Sequence, residues 1–272
     1  MGEAIVFTSG KGGVGKTTTI ANIGAGLSQL DKKVIMLDTD MGLRNLDVVM
    51  GLEDRITYNL LDLLDNKCRL NQALIRDKRF PNLYMIPASL RCHNIGEYSK
   101  QMAALIEVLK TEFDFCLIDC PAGIDEGFEF AVSAADRAIV VTTPHISAIR
   151  DAGRVLYLLE AYPFMKKDLI INEVNDKMIR KHEMMSQKDI EAVLGMKSIG
   201  TIPVDKKIII SQNMGVPVIS MRCSARRNIW RIVRNIQSSK PHPVDLEKVE
   251  EQEEVPIGSF SGGGKLQYEV ES

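Results

Sequence analysis

Glu3-Ala4-Ile5-Val6-Phe7-Thr8-Ser9-Gly10-Lys11-Gly12-Gly13-Val14-Gly15-Lys16-Thr17-Thr18 decides the fold: an apolar run, a glycine-rich loop and the start of a helical pattern follow one another without a break. Gly10, Gly15, Lys16 and Thr17 satisfy the spacing G-x-x-x-x-G-K-[ST], with the strand before and the helix after that this loop requires. Glycines let the chain curl so that successive N–H groups point inward at an anion, and the positive end of the following helix adds to that field. Gly10, Lys11, Gly12, Gly13, Val14, Gly15, Lys16, Thr17 and Thr18 are therefore the candidate phosphate-binding residues. Lys16 is placed to reach the β- and γ-phosphates of a nucleotide, and the Thr17 hydroxyl to take one position on Mg²⁺. A glycine-rich hairpin turn is the competing reading; it needs neither the Gly-Lys-Thr ending nor the helix.

Working outward, Val34–Leu37, Phe115–Ile118, Ala138–Val141 and Leu169–Ile171 repeat the short apolar form of Ile5–Thr8. Continuous apolar runs of this length are expected to be buried strands of a parallel sheet. Longer periodic stretches lie between them, Thr18–Leu30, Gln101–Thr111, Ala148–Tyr162 and Gln187–Leu194, and these predict helices. Leu83–Pro87 and Ser198–Pro203 predict two further strands stopped by proline, and Ser224–Gln237 a last helix. Strand alternating with helix gives an α/β fold, a mostly parallel twisted sheet with helices on both faces and its ligand beyond the carboxyl ends of the strands.

The 272 residues divide into a domain spanning 1–240 and a tail, 241–272, with eight acids against two bases. That imbalance, with Ser261-Gly262-Gly263-Gly264 inside it, predicts a mobile tail. A formal net charge of −2 argues against whole-surface attraction to nucleic acid, and no nucleic-acid partner is expected. Five cysteines without C-x-x-C spacing suggest reduced thiols in the cytoplasm, and no secretory signal is read at the start. No apolar run reaches the ~18 residues of a membrane span, so membrane contact would be peripheral.

Acids follow two of the strand runs. Asp119 closes Phe115–Ile118, and Asp38 and Asp40 close Val34–Leu37, so three carboxylates arrive at the edge of the sheet that carries the loop. They are candidates for the Mg²⁺ shell and for orienting water; solvated loop acids or helix caps are the alternative. Lys11 stands one position after Gly10, where a general phosphate loop imposes no lysine.

Lys11-Gly12-Gly13-Val14-Gly15-Lys16-Thr17-Thr18 resembles the deviant Walker A loop of the MinD/ParA ATPases. The likeness continues through Leu37–Asp47, Gln72–Arg79, Pro87-Ala88-Ser89, Asp119–Ile124 and Thr142-Thr143-Pro144, and covers residues 3 to about 237. Met41-Gly42-Leu43-Arg44-Asn45 stands where ParA proteins carry a Pro-Gln-Gly run, and sides with the division-site branch. The resemblance implies an ATPase with ATP and Mg²⁺ as cofactors and a nucleotide-sandwich homodimer. In it Lys11 would reach the other subunit's phosphates, with Lys16 and Asp40 as its companions in catalysis, Asp40 positioning water. Asp38 and Asp119 would act with Thr17 through the Mg²⁺ shell. Asn172 matches the adenine-reading position, with Pro203 and Asp205 flanking the base; a turn residue is the competing reading of Asn172. Arg44, Asn45, Ser147 and Asp151 match positions that face MinC-like and MinE-like regulators.

The family also implies reversible association with the inner face of the cell membrane, through a basic amphipathic C-terminal helix. Here the end is Gly262–Ser272, whose acids anionic lipid would repel. The amphipathic stretch Arg226–Ile236 is expected to pack as the last core helix instead. Two other functions share the loop. A ParA-like or flagellar-number ATPase would act on DNA or a polar structure and need an exposed basic face. An iron–sulfur carrier related to nitrogenase reductase would need bridging cysteines, of which only Cys120 is placed near the switch.

Overall fold

A computed structural model describes residues 1–91, 94–162 and 166–238. The expected mobile tail 241–272 and one of the cysteines, Cys92, lie outside the described residues. Eight strands, β1 (Glu3–Thr8), β2 (Val34–Asp38), β3 (Ile75–Arg76), β4 (Leu83–Ile86), β5 (Phe115–Asp119), β6 (Arg137–Thr142), β7 (Lys166–Val174) and β8 (Ser198–Pro203), form one sheet in the order β3-β4-β2-β5-β1-β6-β7-β8. Every neighbouring pair is parallel except β3 with β4. The helices are α1 (Lys16–Ser28), α2 (Leu46–Met50), α3 (Leu60–Leu64), α4 (Leu70–Ala73), α5 (Ser99–Glu112), α6 (Glu126–Val132), α7 (Ile146–Leu158), α8 (Asp176–Arg180), α9 (Gln187–Leu194), α10 (Lys206–Asn213) and α11 (Ser224–Ser238).

The apolar runs of the central strands are buried on both faces because helices cover both. Ile5 and Phe7 of β1, Met36 and Leu117 point to one side, where α1 brings Ile20, Ile23 and Leu27 and α11 brings Trp230 and Val233. Ala4 and Val6, with Ile35 and Ile118, point to the other, where α5 brings Met102 and Ile106 and α7 brings Val155. Residues one apart on a strand therefore enter different cores, the period-two rule acting on a sheet apolar on both faces. As expected from its amphipathic pattern, α11 is a core helix, with Ile229, Trp230, Ile232, Val233 and Ile236 fully buried.

The predicted strands all form, and α9 spans the predicted residues. Ser186 caps it in a reciprocal capping box with Asp189, and Gly195 ends it in a left-handed conformation. The antiparallel β3 and the helices α2, α3, α4, α6, α8 and α10 were not predicted from periodicity. Five of these helices have four to seven residues, two turns or fewer, too short to show a repeat of 3.6; α10 equals the predicted α9 in length, with eight residues, and was missed all the same.

Candidate functional site

The loop between β1 and α1 leaves the middle of the sheet at the carboxyl ends of its strands. Gly15 sits at φ 82°, the left-handed region that glycine adopts without penalty, and α1 starts at the next residue without a side-chain cap. The first-turn N–H groups of α1 thus face the loop's interior, which is what an anion requires. Lys16 is 7 % exposed and forms a buried ion pair with Asp119 at the end of β5. Burial opposes its charge, but the Asp119 carboxylate outweighs burial and holds the ammonium above its ordinary range. A cation thus stands ready at the floor of the loop.

The acids expected to complete the site do meet there. Asp38 and Asp119 end the adjacent strands β2 and β5, in register with one another. Asp38 accepts the N–H groups of Asp40 (3.0 Å), Asn45 (3.2 Å) and Leu46 (3.1 Å), which fixes the turn into α2. Asp119 is held from its backbone: its carbonyl accepts the Thr39 N–H at 3.0 Å and hydroxyl at 2.7 Å. Its Oδ2 is buried without a hydrogen-bond partner, an orphan acceptor that suits a hard cation. Among the described residues no three acidic, histidine or cysteine side chains converge to hold an ion alone. Mg²⁺ held by one or two carboxylates plus phosphate oxygens needs no such cluster, so Asp38, Asp119 and the Thr17 hydroxyl fit the ion in the presence of nucleotide. Asp40 is half-buried at the same edge, and burial raises its carboxyl while Lys16 opposes the rise.

Burial, then the Asp119 charge, push the Asp38 carboxyl from 3.8 up to about 7, against the N–H groups it accepts. A carboxyl with a higher pKa folded than unfolded holds its proton more tightly in the native state. Its contribution to stability is therefore present at low pH and is lost as pH rises from about 4 to about 7. Without nucleotide, Asp38→Asn is expected to flatten the fall in melting temperature over that window. Parallel curves for variant and wild type would contradict the shift.

Two cavities flank the loop. One, of about 430 Å³, is lined by residues 11–18, Asp40, Asn45 and Ala122. The other, of about 350 Å³, is lined by Asn172, Pro203, Asp205, Ile208 and Ile209 among others. Gly13, Gly15, Thr18 and Gln212 line both, so the cavities adjoin across the first turn of α1. The first has the donors for phosphates, the second the apolar walls for a base. Asn172, 7 % exposed, donates to the Val14 carbonyl at 2.8 Å and stands against Gly15, where any side chain would overlap its amide. Asp205 lines the second cavity, yet its carboxylate already caps two helices. It accepts the Lys207 N–H at 2.9 Å for α10, and the Ser224 hydroxyl at 2.7 Å and Ala225 N–H at 3.2 Å for α11. Burial pushes its carboxyl up, but these donors outweigh it and hold it below the ordinary range.

Sequence reasoning missed Gln212, whose amide donates to the Thr18 hydroxyl at 2.6 Å. Its only sequence signal was Asp205 as a possible cap of the helix that carries it, α10. Lys11 is exposed, with its ammonium 3.5 Å from the exposed Ser147 hydroxyl, and among the described residues no carboxylate pairs with it. Arg44 adopts a left-handed backbone (φ 49°) and turns in to the fully buried Asp47 at 2.7 Å. Asn45 is exposed, while Asp151 packs its backbone against Gly10. Cys120 is fully buried, which pushes its thiol up to about 12 and sets it apart from a thiolate ligand at a surface.

An AAA domain family model matches residues 2–171. The septum site-determining protein MinD of Synechocystis is 50 % identical over 219 residues, 80 % of this chain and 82 % of that one. Among solved structures, the MinC:MinD cell division protein complex of Aquifex aeolicus superposes with a TM-score of 0.81 at 39 % identity, covering 89 % of this chain and 98 % of that one. The septum site-determining protein MinD of Pyrococcus horikoshii, solved with Mg-ADP, gives 0.78 at 27 % identity over 88 % of this chain and 97 % of its own. With the loop, the paired cavities and these likenesses in agreement, the chain belongs to the MinD family of septum site-determining P-loop ATPases.

Proposed function

We propose that the chain is a Mg·ATP-driven switch in the placement of the division septum. Two copies close over ATP, with Lys11 of each reaching the phosphates held by the other. Asp40 positions the attacking water, while Asp38, Asp119 and Thr17 hold Mg²⁺, whose chemistry is to neutralise the charge that develops on the phosphates. Asn172, Pro203 and Asp205 border the base. In its ATP form the cytoplasmic protein associates reversibly with the inner face of the cell membrane, by a contact other than the acidic 262–272 end that anionic lipid would repel, and engages MinC-like and MinE-like regulators, with Arg44, Asn45, Ser147 and Asp151 on the regulator side. The Mg-ADP in the Pyrococcus horikoshii protein supports the cofactors, and the Aquifex aeolicus complex supports the MinC-like partner.

One observation carries the dimer. The loop bears two cations; Lys16 is buried on the chain's own acid, whereas Lys11 lies exposed at the mouth of the phosphate cavity with a hydroxyl for company. An unpaired cation at that mouth suits phosphates approached from another copy, the role an arginine finger plays elsewhere. Asp40→Ala is expected to accumulate an ATP-bound dimer on size-exclusion chromatography, with turnover reduced at least about a hundredfold. A monomer that still turns over would remove Asp40 from the reaction. The same loaded variant should sediment with anionic vesicles; recovery entirely in the supernatant would remove the membrane step.

A further inference from the structure

Arg79 holds two helix ends at once. Its guanidinium donates to the carbonyl of Met50, the last residue of α2, and to that of Gly215, just beyond α10, at 2.7 Å. Asp77 is buried and braces the guanidinium from behind, accepting Nε at 3.1 Å and Nη2 at 2.7 Å. It also accepts the Arg79 N–H at 2.7 Å, which fixes the turn that aims the side chain. A planar cationic fork between two helix C-termini meets unfilled carbonyls and the negative dipole ends together. The helix ends also touch directly. Gly51 and Gly215 both adopt φ 60°, and a Cβ on Gly215 would stand 2.6 Å from the Gly51 Cα.

At their other ends the same two helices serve the two halves of the site. α2 opens on the N–H of Leu46, which Asp38 accepts together with that of Asn45. α10 opens on Asp205 and carries Ile208, Ile209 and Gln212 along the second cavity. The nucleoside side and the Mg²⁺ side are thus joined behind the loop by one arginine and one glycine contact, through rigid elements rather than through the ligand.

We propose that Arg79 is a positioning residue that couples occupation of the nucleoside cavity to the order of the Asp38 turn. A nucleoside seated against α10 fixes that helix. The guanidinium and the Gly51–Gly215 contact then fix α2, and with it the N–H groups that hold Asp38. This rests on the nucleotide reading above, and it assigns Arg79 no contact with substrate.

Hydrogen exchange read by mass spectrometry tests it, with ADP or inorganic tripolyphosphate, both in EDTA so that Mg²⁺ plays no part. In the wild type ADP should slow exchange at residues 45–50 about tenfold more than tripolyphosphate does. Arg79→Lys keeps the charge and loses the fork; Gly215→Ala pushes the helix ends apart. In both variants the difference between the two ligands should disappear, whereas a merely structural clamp would leave it intact. A folded Arg79→Lys that keeps the wild-type difference would overturn the role of Arg79, and a folded Gly215→Ala that keeps it would overturn the part of the Gly51–Gly215 contact. Equal protection by both ligands in the wild type would overturn the coupling and leave the nucleotide site standing, and this arm decides the matter should both variants fail to fold. Failure of ADP to bind the wild type at all would overturn the nucleotide reading itself, and the coupling with it.

Discussion

Lys16→Ala is expected to lower ATP affinity at least about a hundredfold, measured by equilibrium titration of a fluorescent ATP analogue. Two losses act together. The triphosphate loses its one buried cation, and removing one member of a buried charge pair costs about 2–5 kcal/mol in binding. In addition, the Asp119 carboxylate, which Lys16 neutralises, is left facing the incoming phosphates with Oδ2 already unpartnered. The backbone cradle survives the substitution, since Gly15 and the uncapped start of α1 do not depend on the lysine side chain. The result therefore isolates the cation from the cradle. Affinity within a few-fold of wild type would show that the Lys16 cation is not what holds the triphosphate.

The largest stability effect is expected at the other end of the same pair. Asp119→Ala leaves the buried Lys16 ammonium without its ion-pair partner and with the charge of Asp40 as its nearby offset, and breaking a buried pair costs about 3–5 kcal/mol. Part of this is returned at Asp38, whose like-charged neighbour disappears and whose carboxyl then falls back toward its ordinary range. The local backbone stays tied, because Thr39 bonds the residue 119 carbonyl rather than its side chain. Urea unfolding without nucleotide should show the loss. Saturating ADP in EDTA should narrow the gap between variant and wild type, since the phosphates supply the lysine with a new counter-charge. A gap below about 1 kcal/mol without nucleotide would mean that Lys16 is solvated after all.

The sequence made the phosphate loop and every strand but β3 legible because both signals are local. An apolar run of four or five residues already states burial on two faces, and the loop motif fixes its own backbone through its glycines. The three aspartates could be placed because each closes such a run. Long-range partnerships were not legible. Gln212 meets Thr18 across 194 residues, and Arg79 meets Gly215 across 136, from segments with no periodicity of their own. Asp205 illustrates a subtler limit: its place beside the base cavity followed from likeness, but its capping of α11 depends on Ser224 arriving beneath it. The inward turn of Arg44 likewise depends on a left-handed backbone that no residue type there announces.

The position of β1 in the sheet has a consequence for how the protein is made. Among the described residues it comes before every other strand, yet its two neighbours begin at Phe115 and Arg137, so its pairing Glu3 with Phe115 waits for about 110 further residues. During synthesis an apolar strand with two open edges must stay unpaired for that interval, the state most exposed to wrong pairing and to capture by chaperones. Parallel pairing over such separations is also slow, because loop closure precedes any contact that rewards it. The nucleotide-binding loop, which leaves β1 directly, thus cannot take its final shape until β5 and β6 have been made.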